Sequence, residues 1–269
     1  MLRRYVRCYW TLRAEAVGDP SPQRVLPDGC VEIIINLGAQ FVRYDESGAT
    51  ESQPRELLIG PTTRHMSIAP TGTTRLVGIR FAPGGAVPFL SVGPQEVRDG
   101  APSLADVAPP FDTNVAERLA LARPGAEAAI LDAALGARLS RSRRATDRRV
   151  LASVRATFAT DRSLTVDSLI SLTGLGARHL ERVFRDNVGF GPKTLCRLAR
   201  FQRVVRAIEP ATRPQWARMA ARHGYADQSH LAREFREFAG TTLTRYLGEL
   251  HPMSDHFHDV PGADDSPIG

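Results

Sequence analysis

Lysine is almost missing from this chain, cysteine is scarce, and no long apolar run occurs. Lys193 is the one lysine among 35 basic residues. That bias explains why the basic residues are arginines, but not where they sit. Cys8, Cys30 and Cys196 are an odd, scattered set. They exclude a disulfide framework and a four-cysteine zinc site, and they fit a reduced, cytoplasmic chain. No stretch of 18 apolar residues exists, so no transmembrane helix and no membrane partner is expected. The opening MLRRYVRCYWTLRAEA lacks an apolar segment ended by a small-residue cleavage site, so no secretory leader is expected. It runs directly into the first strand, which leaves room for a few residues upstream. Histidine is sparse where a metal-binding barrel would need it: the first 110 residues contain His65 alone. Gly84-Gly85 has no phosphate-loop pattern around it. These absences point to a chain without catalytic residues, metal or cofactor, and so to a non-enzyme.

What is present is a lopsided charge. Residues 141–250 hold 20 Arg and one Lys against ten acidic residues, a net of +11, while the whole chain is +6. The remainder is therefore mildly acidic. A basic module joined to an acidic one suggests a polyanionic partner for the basic half. The 269 residues have room for about two domains.

The first 82 residues read as strands. YVRCYWTL alternates, which puts Val6, Cys8, Trp10 and Leu12 on one face. VEIIINLG follows the turn signal Pro27-Asp28-Gly29. LLIGP and RLVGIRF are two more strands, divided by Pro70-Thr71-Gly72. Short strands with turns between them suggest a small barrel or sandwich, with Cys30, Ile33, Ile35, Leu76 and Ile79 inside. Beyond Phe81 the pattern turns helical over 115–139, with a break at Pro124-Gly125, and residues 147–248 read as helix nearly throughout. The expected fold class is α+β: a β-rich domain over 1–110, a helical connector over 111–145 and an all-α domain over 146–250. The Asp-, Pro-, Gly- and Ser-rich stretch 251–269 reads as a disordered tail. Its His251, His256 and His258 are more easily explained by that composition than by metal binding.

Two segments 51 residues apart repeat one another. RHLERVFRDNVG (178–189) and SHLAREFREFAG (229–240) share six of twelve positions: His179/His230, Leu180/Leu231, Arg182/Arg233, Phe184/Phe235, Arg185/Arg236 and Gly189/Gly240. A spaced repeat signals a duplicated structural unit. Each copy is amphipathic at helical spacing. Leu180, Val183, Phe184 and Val188 face inward in the first, and Leu231, Phe235 and Phe238 in the second. Arg178, Glu181, Arg182 and Arg185 point outward in the first, and Ser229, Ala232, Arg233 and Arg236 in the second. Gly189 and Gly240 stand where a helix end calls for a left-handed residue. Each copy follows a short helix and a glycine turn. One helix is capped by Thr165 with a Leu164–Leu169 staple and ended by Gly174; the other is opened by Pro214 and broken at Gly224. Helix, tight turn and a second helix with a cationic outer face is the helix-turn-helix plan. Between the copies, Leu195, Leu198, Phe201, Val205 and Ile208 form one apolar stripe on a single predicted helix, 192–209, that would hold the two units at fixed separation.

RHLERVFRDNVGFGPKTLCRLAR and GYADQSHLAREFREFAGTTLTRYL together resemble the AraC/XylS family of bacterial transcription regulators, over about 100 residues from Asp147 to Leu250. One departure is Leu243, where that family usually has proline. The resemblance implies a sequence-specific DNA-binding transcription regulator whose outward helix positions read bases: Arg178, Glu181 and Arg182 in the first unit, and Gln228, Ser229, Ala232 and Arg233 in the second. Arg suits guanine, Gln adenine and Glu cytosine, while Ala232 offers an apolar contact such as a thymine methyl. Arg185, Lys193, Arg197 and Arg236, with His179 and His230, are the implied phosphate contacts. LPDGCVEIIINLG and VGIRFAPGGAVPFL resemble a cupin-like module that precedes such tandems and serves in sensing or dimerisation. The implied partners are double-stranded DNA, with RNA polymerase, a small-molecule effector and a second copy of the chain as further candidates. An enzymatic cupin-like domain fused to a DNA-binding module is the alternative. A basic helical surface that binds DNA through charge alone, without reading bases, is a third.

Overall fold

The computed structural model describes residues 1–15, 21–111, 114–160, 163–208 and 215–249. Pro214 and the tail 251–269, with its three histidines, lie outside the described residues. The chain opens with eight strands: β1 (Val6–Ala14), β2 (Gln23–Val25), β3 (Glu32–Asn36), β4 (Phe41–Tyr44), β5 (Thr50–Ser52), β6 (Glu56–Ile59), β7 (Met66–Pro70) and β8 (Thr74–Phe81). They form two antiparallel four-stranded sheets, ordered β1-β8-β3-β6 and β2-β7-β4-β5.

The strand faces divide differently from the sequence expectation. A bulge between Val6 and Cys8 breaks the alternation of β1. Val6 therefore packs with Tyr9 on one core, while Trp10 and Leu12 pack on another and Cys8 is exposed. β3 is covered on both sides, so its side chains divide by parity. Ile33 and Ile35, with Ile79 of β8, face a layer of helices; Glu32, Ile34 and Asn36 face the space between the sheets. The expected interior set is thus split. Cys30 and Leu76 line the inter-sheet space, and Ile33, Ile35 and Ile79 back onto helices. Gly78 of β8 lies directly opposite Trp10, and a Cβ there would overlap the indole. This glycine lets the ring lie across the strand, from where Trp10 Nε1 donates to Glu32 Oε2 at 3.2 Å.

The layer against the first sheet is made of α1 (Leu104–Val107), α2 (Val115–Leu121) and α3 (Glu127–Arg141). Leu119, Leu131 and Leu135 are fully buried there beside Ile33 and Phe81, so the helical connector shares the core of the β domain. The remaining helices are α4 (Arg148–Ala159), α5 (Val166–Thr173), α6 (Ala177–Val188), α7 (Pro192–Ala207), α8 (Trp216–Arg222), α9 (Gln228–Ala239) and α10 (Leu243–Gly248). They close around a second core that includes Leu180, Phe184, Phe201 and Phe235. α4 straddles both cores: Val150 and Val154 belong to the helical one, and Leu151 to the β one. Among the described residues, no helix is long and apolar enough to cross a membrane.

Candidate nucleic-acid interface

The two units take their shape from short-range capping. Thr165 accepts from the Ser168 N–H at 3.2 Å and starts α5; Gly174, at φ 67°, ends it. Asp227 accepts from the His230 N–H at 2.7 Å and starts α9. Gly189 (φ 94°) and Gly240 (φ 64°) both take the left-handed backbone that the repeat calls for. Their N–H groups return to the Arg185 and Arg236 carbonyls. Where the family pattern would have proline, Leu243 is buried at the first turn of α10, and Thr242 supplies the cap by accepting from the Arg245 N–H. The substitution therefore leaves this helix start intact.

The inward residues of both copies are buried: Leu180, Phe184, Leu231, Phe235 and Phe238 are at most 1% exposed. Each stripe anchors its helix, so the opposite side is turned outward. Arg178, Arg182, Gln228, Ser229, Ala232 and Arg233 are all exposed there. Glu181 is half-buried, and its carboxylate accepts from Arg185 Nε at 3.0 Å. It also fills the space beside Gly191, where a Cβ would collide with it. Lys193, Arg236 and His179 are exposed, and His179 lies near enough to Asp147 to help hold that carboxyl below its usual range, after the larger effect of Arg149. His230 is half-buried; its Nδ1 accepts from the Ala226 N–H, and its ring stands edge-on to Tyr225.

Arg197 is engaged within the protein. It donates to Glu234 at 2.8 Å and Glu237 at 2.5 Å, and Arg200 grips Glu234 with Nε and Nη2 at 2.7–3.1 Å. Arg200 also stacks over Tyr225, 4.5 Å from the ring centre. Sequence reasoning missed Glu234, although the repeat carries its signal. Glu234 aligns with the apolar Val183, so an acid stands on the buried stripe of α9. Its side chain is 4% exposed. Burial pushes its carboxyl up, but hydrogen bonds from Arg200 and Arg197 outweigh burial and hold it below the usual glutamate range. α7 is thus bolted to α9 by a charged cluster as well as by Phe201 against Phe235 and Phe238.

Residues 169–249 match a helix-turn-helix domain family. This segment is an AraC-type helix-turn-helix domain. The chain accordingly carries a DNA-binding domain of the helix-turn-helix type over this segment. Residues 1–102 match a second family, a domain of unknown function, which lies ahead of the AraC-type domain and covers the two sheets. No curated protein matches the sequence. Solved structures similar to the whole chain include ToxT from Vibrio cholerae at 1.65 Å resolution, with 10% identity, 90% of this chain and 98% of that one covered, and a TM-score of 0.49. Another is ToxT from Vibrio cholerae strain SCE256 bound to unsaturated fatty acid, with 10% identity, 90% and 95% covered, and a TM-score of 0.47. A superposition that loose transfers neither a ligand nor a site to this chain.

Proposed function

We propose that the protein is a sequence-specific DNA-binding transcription regulator in which α6 and α9 each enter the major groove, on successive segments of one DNA face. One observation carries this reading: Arg182 and Arg233, equivalent in the repeat, are both exposed on helices that are fixed from behind by buried stripes and closed by left-handed glycines. Arg178 and Arg182 suit guanine edges, Gln228 suits adenine, and Ser229 and Ala232 make short contacts beside them. Glu181 would read cytosine only by giving up Arg185. Lys193, Arg185, Arg236 and His179 supply phosphate contacts, and His230 combines packing with a rim position. Arg197 serves the fold through Glu234.

In an operator selected with the full chain from random-sequence DNA, Arg182→Ala and Arg233→Ala should each cost about 1–3 kcal/mol of specific binding and relax preference at one position. Two variants that bind as the wild type does would end this assignment. Uniform loss across unrelated sequences, tracking salt, would favour a charge-driven binder that reads no bases.

The β domain is suited to sensing. Between its sheets lies a cavity of about 50 Å³, with Phe41, Ile68 and Leu76 in its walls and Asp28, Glu32 and Arg80 at one end. Arg80 pairs with both carboxylates. Burial opposes charge at each. Arg80 prevails at Asp28 and holds it low, while at Glu32 burial, with Asp28 beside it, prevails and raises it. With the guanidinium already claimed by two acids, this end favours an occupant that donates hydrogen bonds over an anion. An occupant larger than a few atoms must displace a wall. RNA polymerase contact and self-association fit a regulator of this kind and belong to the same reading.

A further inference from the structure

The β domain touches both helix-turn-helix units at the same point of the repeat. In the first unit that point is Gly189, which closes α6; a Cβ placed there would stand 2.5 Å from Pro61 and 3.1 Å from the Pro94 carbonyl oxygen. In the second it is Gly240, which closes α9; a Cβ there would overlap the His65 ring. Beside His65, Arg24 donates from Nη1 to the Ala239 carbonyl at 3.0 Å, and its Nη2 lies 3.7 Å from Glu249. Arg24 thus places a cation at the negative end of α9. Between these two contacts the β domain also holds α7. Gln202 Nε2 donates to the Pro27 carbonyl at 2.6 Å, and Leu26, 3% exposed, is a member of the helical core.

Two reading heads on one chain gain from each other only if the second is already aligned when the first is bound. Loose alignment lowers the effective concentration of the second head at its segment. One sandwich fastened to unit one, to α7 and to unit two removes that looseness.

We propose that the β domain is part of the DNA-binding machinery as a positioning element. Arg24 and His65 hold the second unit, and Pro61 and Pro94 hold the first, at the relative orientation that a two-segment operator requires. This rests on the reading that α6 and α9 both enter the groove. Arg24 and His65 are positioning residues: they bear on the C-terminal end of α9, away from the outward side chains near its start.

The test uses the full chain and an operator selected with it. Arg24→Ala/His65→Ala should weaken specific binding roughly tenfold through lost alignment. Its footprint should lose the half covered by α9 and keep the half covered by α6. Arg24→Lys, which keeps a cation on the Ala239 carbonyl, should retain both halves. An unchanged footprint, or equal loss over both halves with the fold intact by melting, would overturn the proposal. Should the double variant melt early, Arg24→Ala alone carries the same comparison. Arg182→Ala and Arg233→Ala, run alongside, separate the two ideas. If those two weaken binding and the Arg24 variants do not, positioning fails while the reading heads stand. If those two bind normally, the two-head reading falls and takes the positioning role with it.

Discussion

Replacing Glu234 with alanine should destabilise the helical domain by about 3–5 kcal/mol, the usual cost of breaking a buried ion pair from one side. The side chain is 4% exposed and takes hydrogen bonds from Arg197 and Arg200. Its loss leaves Arg200 between α7 and α9 with a charge that Tyr225 can only partly balance. Denaturant unfolding of the full chain, at constant slope, reads the change directly. Specific DNA binding should fall with it, because α9 loses the cluster that fixes it on α7. The same group predicts a dependence on acid. Glu234 titrates lower in the folded chain than its ordinary value of 4.5. Its contribution is therefore complete above that value and is lost as the pH falls through the folded one. Glu234→Gln should flatten that part of the stability–pH curve. Matching denaturation midpoints for wild type and Glu234→Ala would show that the cluster is decorative.

The parts of this molecule that were legible in its sequence are those governed by neighbours in the chain. Caps depend on residues two to four apart, and Thr165, Gly174, Gly189 and Gly240 could be placed in advance for that reason. The buried stripes of α6, α7 and α9 follow from helical period alone, and all five residues of the middle stripe are buried, four of them on α7 and Ile208 just past its end. The outward arginines follow by subtraction. What was not legible depends on partners far away in sequence. The side of β3 that holds Ile33 and Ile35 could not be known without α2 and α3, which cover it from 80 or more residues later. The bulge in β1 depends on its register with β8 and leaves no local mark in VRC. Arg197 looks like any surface arginine until Glu234 arrives 37 residues on. Leu26 belongs to the β domain in sequence, yet it completes the core of the other. The repeat was the one long-range signal available, and it exposed Glu234 only as a mismatch with Val183.

Inserting two residues after Arg203 should abolish high-affinity binding to the selected operator. At 3.6 residues per turn the insertion rotates everything beyond it by about 200° and advances it by about 3 Å. The lever acts at a place where α7 is held from several sides. Phe201, Gln202, Val204 and Val205 are buried, Gln202 is tied to Pro27, and Arg203 Nη2 donates to Ser163 Oγ at 2.9 Å. Residues before the insertion keep α6 and the β domain in register. Residues after it carry Val205 and Ile208 off the stripe that faces the helical core. The second unit must then either turn away from the DNA face or give up its contacts with Arg24 and His65, and each course separates the two heads. Both units keep their exposed arginines, so weak, salt-sensitive binding should survive through phosphate contacts. Footprints of the wild type and the insertion variant on one operator, with titration at two salt concentrations, distinguish the possibilities. A protected region cut to the first half, with a shallower dependence on salt because one unit's phosphate contacts are lost, is the expected result. A full-length footprint at wild-type affinity would mean that the units adjust independently along the DNA, and neither α7 nor the β domain would then set their spacing.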